Sequence, residues 1–170
     1  NGIIYVANNE GLLTFDGKYW KTYPLPNKTI VRSLEISNDN KIYVGGQDEL
    51  GYFSQTTNGQ LAYHSLLKFI KEADKDFADV WDIVSTKNEV FFRTSRRIFK
   101  FSNNTISVYH APTEWSYLGS CNGKIFAHDI QKGLLRFANN EWQAVEGTSL
   151  LINTEITSIL LLKNSIIITT

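Results

Sequence analysis

The chain carries few of the residue sets that covalent or metal chemistry needs. Its three histidines, His64, His110 and His128, show no His-x-x-x-His spacing, so no metal site is written along one element. Cys121 is the single cysteine and has no neighbouring histidine to take its proton; it reads either as a reactive thiol or as a small buried residue. Asp48-Glu49 and Asp74/Asp76 are local acidic pairs, and nothing in their spacing makes them converge on a substrate. Gly45-Gly46 lacks the Lys-Ser/Thr of a phosphate loop. Recognition chemistry sits instead in polar turns: Gln47, Asp48 and Glu49, then Trp81, Arg96 and Arg97, Trp115, and finally Asp129 and Lys132. Carboxylates, amides and guanidinium groups hydrogen-bond a hydroxyl-rich ligand, and an indole ring stacks on its flat face. Such a set suits an oligosaccharide, with Arg96-Arg97 able to clamp an anionic sugar or a partner carboxylate. It needs no cofactor and no metal. The same residue types also populate ordinary solvated turns, and Trp81 reads equally as a core ring at the start of a strand.

A repeat positions these turns. Ile3-Ile4-Tyr5-Val6-Ala7, Gly11-Leu12-Leu13-Thr14-Phe15 and Tyr19-Trp20 return as Lys124-Ile125-Phe126-Ala127, Gly133-Leu134-Leu135-Arg136-Phe137 and Glu141-Trp142. Aligning the hydrophobic runs makes Tyr5, Tyr43, Phe91, Phe126 and Ile167 equivalent, at intervals of 38, 48, 35 and 41 residues. Periods near 40 suit four-stranded propeller blades. Helical solenoids of similar period need apolar spacings of three and four. Here the runs alternate or are continuous, and Asn, Asp and Gly turns cut them.

The predicted fold is therefore all-β: an arc of about four four-stranded antiparallel blades from a larger, seven-bladed propeller. Units fall at about 1–26, 27–66, 78–111, 114–148 and an incomplete 154–170, with the innermost strand of the first unit absent. The longest interval contains residues 66–75, whose apolar residues at 66, 67, 69, 70 and 73 predict a short helix. Trp20 and Trp142 occupy equivalent positions, as packed rings or as stacking platforms.

Composition sets outer limits. With 170 residues the chain can build a real core, and 17 basic against 17 acidic residues leave no basic footprint for nucleic acid. Aromatics at 13% favour strands, and one cysteine forbids an intrachain disulfide. No apolar run approaches the length of a membrane span. The absence of Met and the opening at Asn1-Gly2, inside the repeat pattern, suggest a piece of a longer polypeptide, which would supply any membrane segment.

The block Ile42-Tyr43-Val44-Gly45-Gly46-Gln47-Asp48-Glu49-Leu50-Gly51-Tyr52-Phe53 resembles the two-component regulator propeller family of Bacteroidetes. The Gly-Leu-Leu-x-Phe steps at 11–15 and 133–137 and Asp79-Val80-Trp81-Asp82-Ile83 are similar to it as well. The resemblance covers essentially the whole chain. It implies an extracytoplasmic, periplasmic sensor region of a membrane-spanning regulator. The output would be a histidine kinase or a helix-turn-helix DNA-binding domain. The third unit departs from the family pattern, with Ser95-Arg96-Arg97 in place of a Gly-Leu step, so a differently shaped turn is expected there.

Two other roles stay open. Blade faces or edges could bind another protein or a second copy, making the chain an interaction or dimerisation scaffold. A sugar-acting enzyme is the third reading, because some ring-shaped β folds are lyases or hydrolases.

Overall fold

The computed structural model describes residues 2–163 and 165–170. Among the described residues, seventeen strands form five antiparallel sheets, each made of strands consecutive in the chain. The first sheet holds β1 (Ile4–Asn8), β2 (Gly11–Phe15) and β3 (Trp20–Tyr23). The second holds β4 (Val31–Ile36), β5 (Ile42–Gly46), β6 (Leu50–Gln55) and β7 (Leu61–Ser65). The third holds β8 (Asp82–Ser85), β9 (Val90–Arg93), β10 (Arg97–Ser102) and β11 (Thr105–His110). The fourth holds β12 (Trp115–Cys121), β13 (Lys124–Asp129), β14 (Gly133–Ala138) and β15 (Glu141–Ala144). The fifth pairs β16 (Ser158–Leu162) with β17 (Ser165–Thr169). This is a propeller arc. The innermost strands β4, β8, β12 and β16 run side by side, and β1 packs along β4.

Asparagine and glycine in the tight turns explain why consecutive strands pair as hairpins. Asn103 and Asn104 both adopt positive φ, as do Asn139 and Asn140, which matches the twist of a two-residue hairpin loop. The core lies between the sheets, because strand alternation gives each sheet two apolar faces. Tyr43 and Leu50 of the second sheet meet Phe92 and Phe99 of the third. Val84, Phe91 and Ile98 of the third meet Trp115, Ile125 and Leu135 of the fourth. Contact is close enough that a Cβ on Gly45 would lie 2.4 Å from Val80 Cγ1. Only a glycine fits there.

Residues 66–75 do not form one helix. They make two 3-10 turns, Leu67–Phe69 and Glu72–Asp74, separated by extended backbone at Ile70 and Lys71. Leu66, Ile70 and Phe77 all reach the interface between the second and third sheets along this broken path. The turn at Ser95-Arg96-Arg97 also differs from its counterparts. The Thr94 N–H donates to the Arg97 carbonyl at 2.8 Å, and the turn contains no positive φ, whereas Gly11 and Gly133 at the equivalent step both have one.

Candidate functional site

Each innermost strand begins with a one-residue bulge. Pairing shifts between Val31 and Ser33 in β4, and between Trp115 and Tyr117 in β12. In β8 the Trp81 N–H bonds to the Arg93 carbonyl, although Asp82 is the residue registered with Arg93. Thr157 before β16 does the same with Thr169. Bulges leave one residue unpaired and re-aim its side chain. Arg32, Trp81, Ser116 and Thr157 therefore occupy corresponding places at the loop end of the arc.

Two of them meet. The Trp81 side chain is 45% exposed, and the Arg32 guanidinium lies over its ring, 5.4 Å from the centroid. Arg32 Nε donates to Asp79 Oδ1 at 3.1 Å. Asp79 forms a backbone bridge with Gln47, whose carbonyl accepts from Asn27 Nδ2 at 3.0 Å. An exposed indole is thus capped by a guanidinium that a carboxylate holds in place, and the backbone of Gln47 anchors that carboxylate's residue. A flat ring with hydrogen-bonding groups at its edge suits a ligand with one apolar face and many hydroxyls. Arg32 was not among the residues singled out from sequence. Its signal is positional: aligning the starts of the innermost strands puts it level with Trp81.

The other sequence candidates are mostly committed to the scaffold. Asp48 takes positive φ, and its Oδ1 accepts from the Phe77 and Ala78 N–H groups, at 3.2 and 2.7 Å. It staples the 66–81 connection to the β5–β6 turn. Glu49 is buried, accepting from Tyr63 Oη and Ser65 Oγ at 3.0 and 2.8 Å. Burial raises its pKa despite those two bonds, and burial beside Glu49 also pushes the Tyr63 hydroxyl up. Arg97 donates to Asp74 Oδ1 and to the carbonyls of Asp76 and Ala73. Arg96 donates to the Thr113 carbonyl. The proposed anion clamp at Arg96-Arg97 therefore does not stand as read, since Arg97 ties down the 3-10 segment and Arg96 holds the β11–β12 link.

Trp115 and Asp129 are also corrected. Trp115 is buried, its Nε1 donating to the Tyr109 carbonyl at 3.3 Å, so its ring belongs to the core. Asp129 is buried as well and accepts from the N–H groups of Thr113, Glu114, Gln131 and Lys132 and from Thr113 Oγ1. Burial alone would raise its pKa, but the bonds from Thr113, Lys132 and Gln131 outweigh that and hold it below 3.8. Lys132 remains exposed beside this turn. The structure pairs Gln47 with Asp79, two residues before Trp81; it leaves Lys132 apart.

One pair has the outline of a nucleophile and base. Ser116 Oγ lies 2.6 Å from His128 Nδ1, and His128 Nε2 lies 2.7 Å from the Leu151 carbonyl. A carbonyl only accepts, so Nε2 carries the proton and Nδ1 accepts from Ser116. His128 is fully buried with both nitrogens used, and the arrangement fastens the Ser149–Leu151 turn onto β13. Among the described residues no group of three or more His, Cys, Asp or Glu side chains is placed to hold a metal ion. No helix among them is long and apolar enough to cross a membrane. A concavity of about 340 Å³ opens on the opposite side from the Trp81 loops, between the first and second sheets, with Tyr5, Tyr23, Asn40 and Gln55 in its wall.

No protein-family model matches the chain, and no curated protein does. Solved structures do. The extracellular domain of a putative hybrid two-component system from B. thetaiotaomicron aligns over 94% of this chain and 23% of its own, at 18% identity and a TM-score of 0.68. Virginiamycin B lyase from Staphylococcus aureus aligns over 93% of this chain and 56% of its own, at 15% identity and a TM-score of 0.64. A protein of unknown function from Bacteroides caccae aligns over 95% of this chain and 64% of its own, at 12% identity and a TM-score of 0.59. The chain thus spans 23% of the sensor domain and just over half of the lyase. At these identities the likeness establishes the propeller fold, and it agrees with the family resemblance read from the Gly-Gly-Gln-Asp-Glu-Leu-Gly block.

Proposed function

We propose that this chain is part of a ligand-sensing propeller lying outside the cytoplasm, and that it recognises an oligosaccharide at the loop end between the second and third sheets. The observation that carries the reading is the exposed Trp81 ring, capped by Arg32, whose guanidinium is held by Asp79. Likeness to the extracellular domain of a two-component system supports the sensing role. The site joins two sheets, so a bound ligand would favour one packing of those sheets over others. That differential affinity is what a receptor needs in order to transmit occupancy. Further segments of the kind the family resemblance implies, a membrane helix and a kinase or DNA-binding output, would carry the change inward.

Thermal melting with a panel of neutral and acidic oligosaccharides tests the proposal. A ligand that binds only the folded chain raises the midpoint progressively with concentration. Trp81→Ala should abolish that shift while changing stability by no more than about 0.5 kcal/mol, as for an exposed side chain. Retention of the shift in Trp81→Ala, or no shift with any glycan, would refute the assignment.

A further inference from the structure

The second and third sheets enclose a small cleft on the side away from the Trp81 loops. Both sheets have all four strands and lie inside the stack. The β4–β5 turn of one and the β8–β9 and β10–β11 turns of the other form its walls, and its volume is about 230 Å³. Buried Tyr43, Val90 and Phe101 make the floor.

Tyr43 carries one atom that the packing does not use. Its ring packs against the third sheet, as Phe91 packs against the fourth and Phe126 against the fifth. Phenylalanine fills those equivalent positions, so the stack needs a ring there and no hydroxyl. Tyr43 is only 4% exposed, and among the described residues its hydroxyl has no hydrogen-bond partner. Nor is the hydroxyl sealed off, since the one unpartnered side-chain polar atom among them that is closed to solvent is Trp142 Nε1. The cleft, which Tyr43 lines, supplies its open space. A polar group this buried calls for a partner, whether water or a ligand. Burial pushes its pKa above the ordinary 10.0 although Lys41 pulls the other way, so at neutral pH the group is a proton donor.

The charged groups around the cleft are mostly paired already. Lys41 Nζ donates to Asp39 Oδ2 at 2.6 Å, and Lys100 Nζ donates to Glu89 Oε1 at 3.1 Å. An entering anion would meet both carboxylates, and an entering cation would meet Lys41 and the exposed Lys87. The uncommitted groups are the side-chain amides of Asn38, Asn88, Asn103 and Asn104. An amide both donates and accepts, which matches a hydroxyl. The volume falls below the roughly 300–1,000 Å³ of sites for drug-sized ligands, so one small molecule fills it.

We propose that this cleft is a second binding site, for one neutral polyhydroxylated molecule of monosaccharide size. The Tyr43 hydroxyl donates to it from the floor, and the asparagine amides bond its hydroxyls from the rim. The site is separate from the Trp81 junction and lies at the other end of the same two sheets.

Protein-observed NMR with D-glucose, D-galactose and D-mannose as probes tests the proposal. At least one sugar should produce saturable shifts centred on Tyr43 and on the side-chain amides of Asn38, Asn88 and Asn104. Tyr43→Phe installs the residue already found at the equivalent positions, so it should melt as the wild type does. It should raise the dissociation constant about five- to tenfold, the worth of one net hydrogen bond. Asn88→Ala removes an amide from an exposed turn and should weaken binding by a similar factor; it carries the test if Tyr43→Phe melts early. Trp81→Ala should leave the shifts unchanged. Absence of saturable shifts with all three sugars would overturn the proposal, as would unaltered affinity in both cleft variants. Loss of the shifts in Trp81→Ala would place the sugar at the other end of the sheets. Saturation of the same residues by inorganic phosphate or glycine, and by none of the sugars, would refute the ligand class.

Discussion

Two buried acidic turn residues respond to pH in opposite ways, because burial dominates at Glu49 and hydrogen bonds dominate at Asp129. Glu49 holds its proton more firmly in the folded chain than at the ordinary value of 4.5, because burial outweighs the bonds from Ser65 and Tyr63. Stability linked to that proton is fully present below the unfolded pKa and is lost as pH rises through the folded one. Glu49→Gln keeps an acceptor for Tyr63 and Ser65 without the charge. The variant should therefore gain on the wild type as pH rises from about 4.5, and the gap should level off once the folded carboxyl has ionised. Melting curves across that range read the difference; a gap that shrinks with rising pH would contradict the burial argument. Asp129 works the other way, since its lowered pKa gives stability present above the unfolded value and lost as pH falls through the folded one. Neither behaviour was visible in the sequence. Both residues read there as exposed binding groups, because a turn's polarity does not say which loop will fold over it.

Among the elements, the connection between the second and third sheets depends most on side chains. Its two 3-10 turns are too short to stand on their own backbone bonds. Arg97 grips this segment through Asp74, Ala73 and Asp76, and Asp48 grips its far end at Phe77 and Ala78. Arg97→Ala should cost about 1.5–3 kcal/mol, the range of a hydrogen bond to a charged group. Amide hydrogen exchange should then quicken at residues 72–76 while the β9–β10 pairing stays protected. Equal loss of protection throughout the third sheet would show that the segment is not held locally. The apolar residues of 66–75 were legible as a buried face, but their helical spacing misled. An i, i+4 pattern also fits apolar side chains delivered into one interface from two separate turns. The departure at Ser95-Arg96-Arg97, by contrast, was plain from the missing glycine, since without one a turn needing positive φ is strained.

Across the whole molecule, stability should follow position in the stack. The second, third and fourth sheets are packed on both faces, while the first and fifth are packed on one. In stacked repeats each unit is stabilised mainly by its neighbours. Hydrogen exchange should be slowest in β9 and β13 and fastest in β17 and β1, the ordering expected when local opening reflects buried contacts. Uniform exchange across all five sheets would indicate a single cooperative block instead.

Strand placement, hairpin pairing and the repeat were decided locally, by alternation and by asparagine and glycine in the turns. These signals act over a few residues, so one copy of the chain's text suffices to read them. The fate of each polar side chain was decided by the stacking of sheets. Arg32 and Trp81 stand 49 positions apart in sequence, and they touch only because bulges at two strand starts aim them at the same junction. Arg97 and Asp129, which looked equally available, were drawn into the scaffold by loops that close over them.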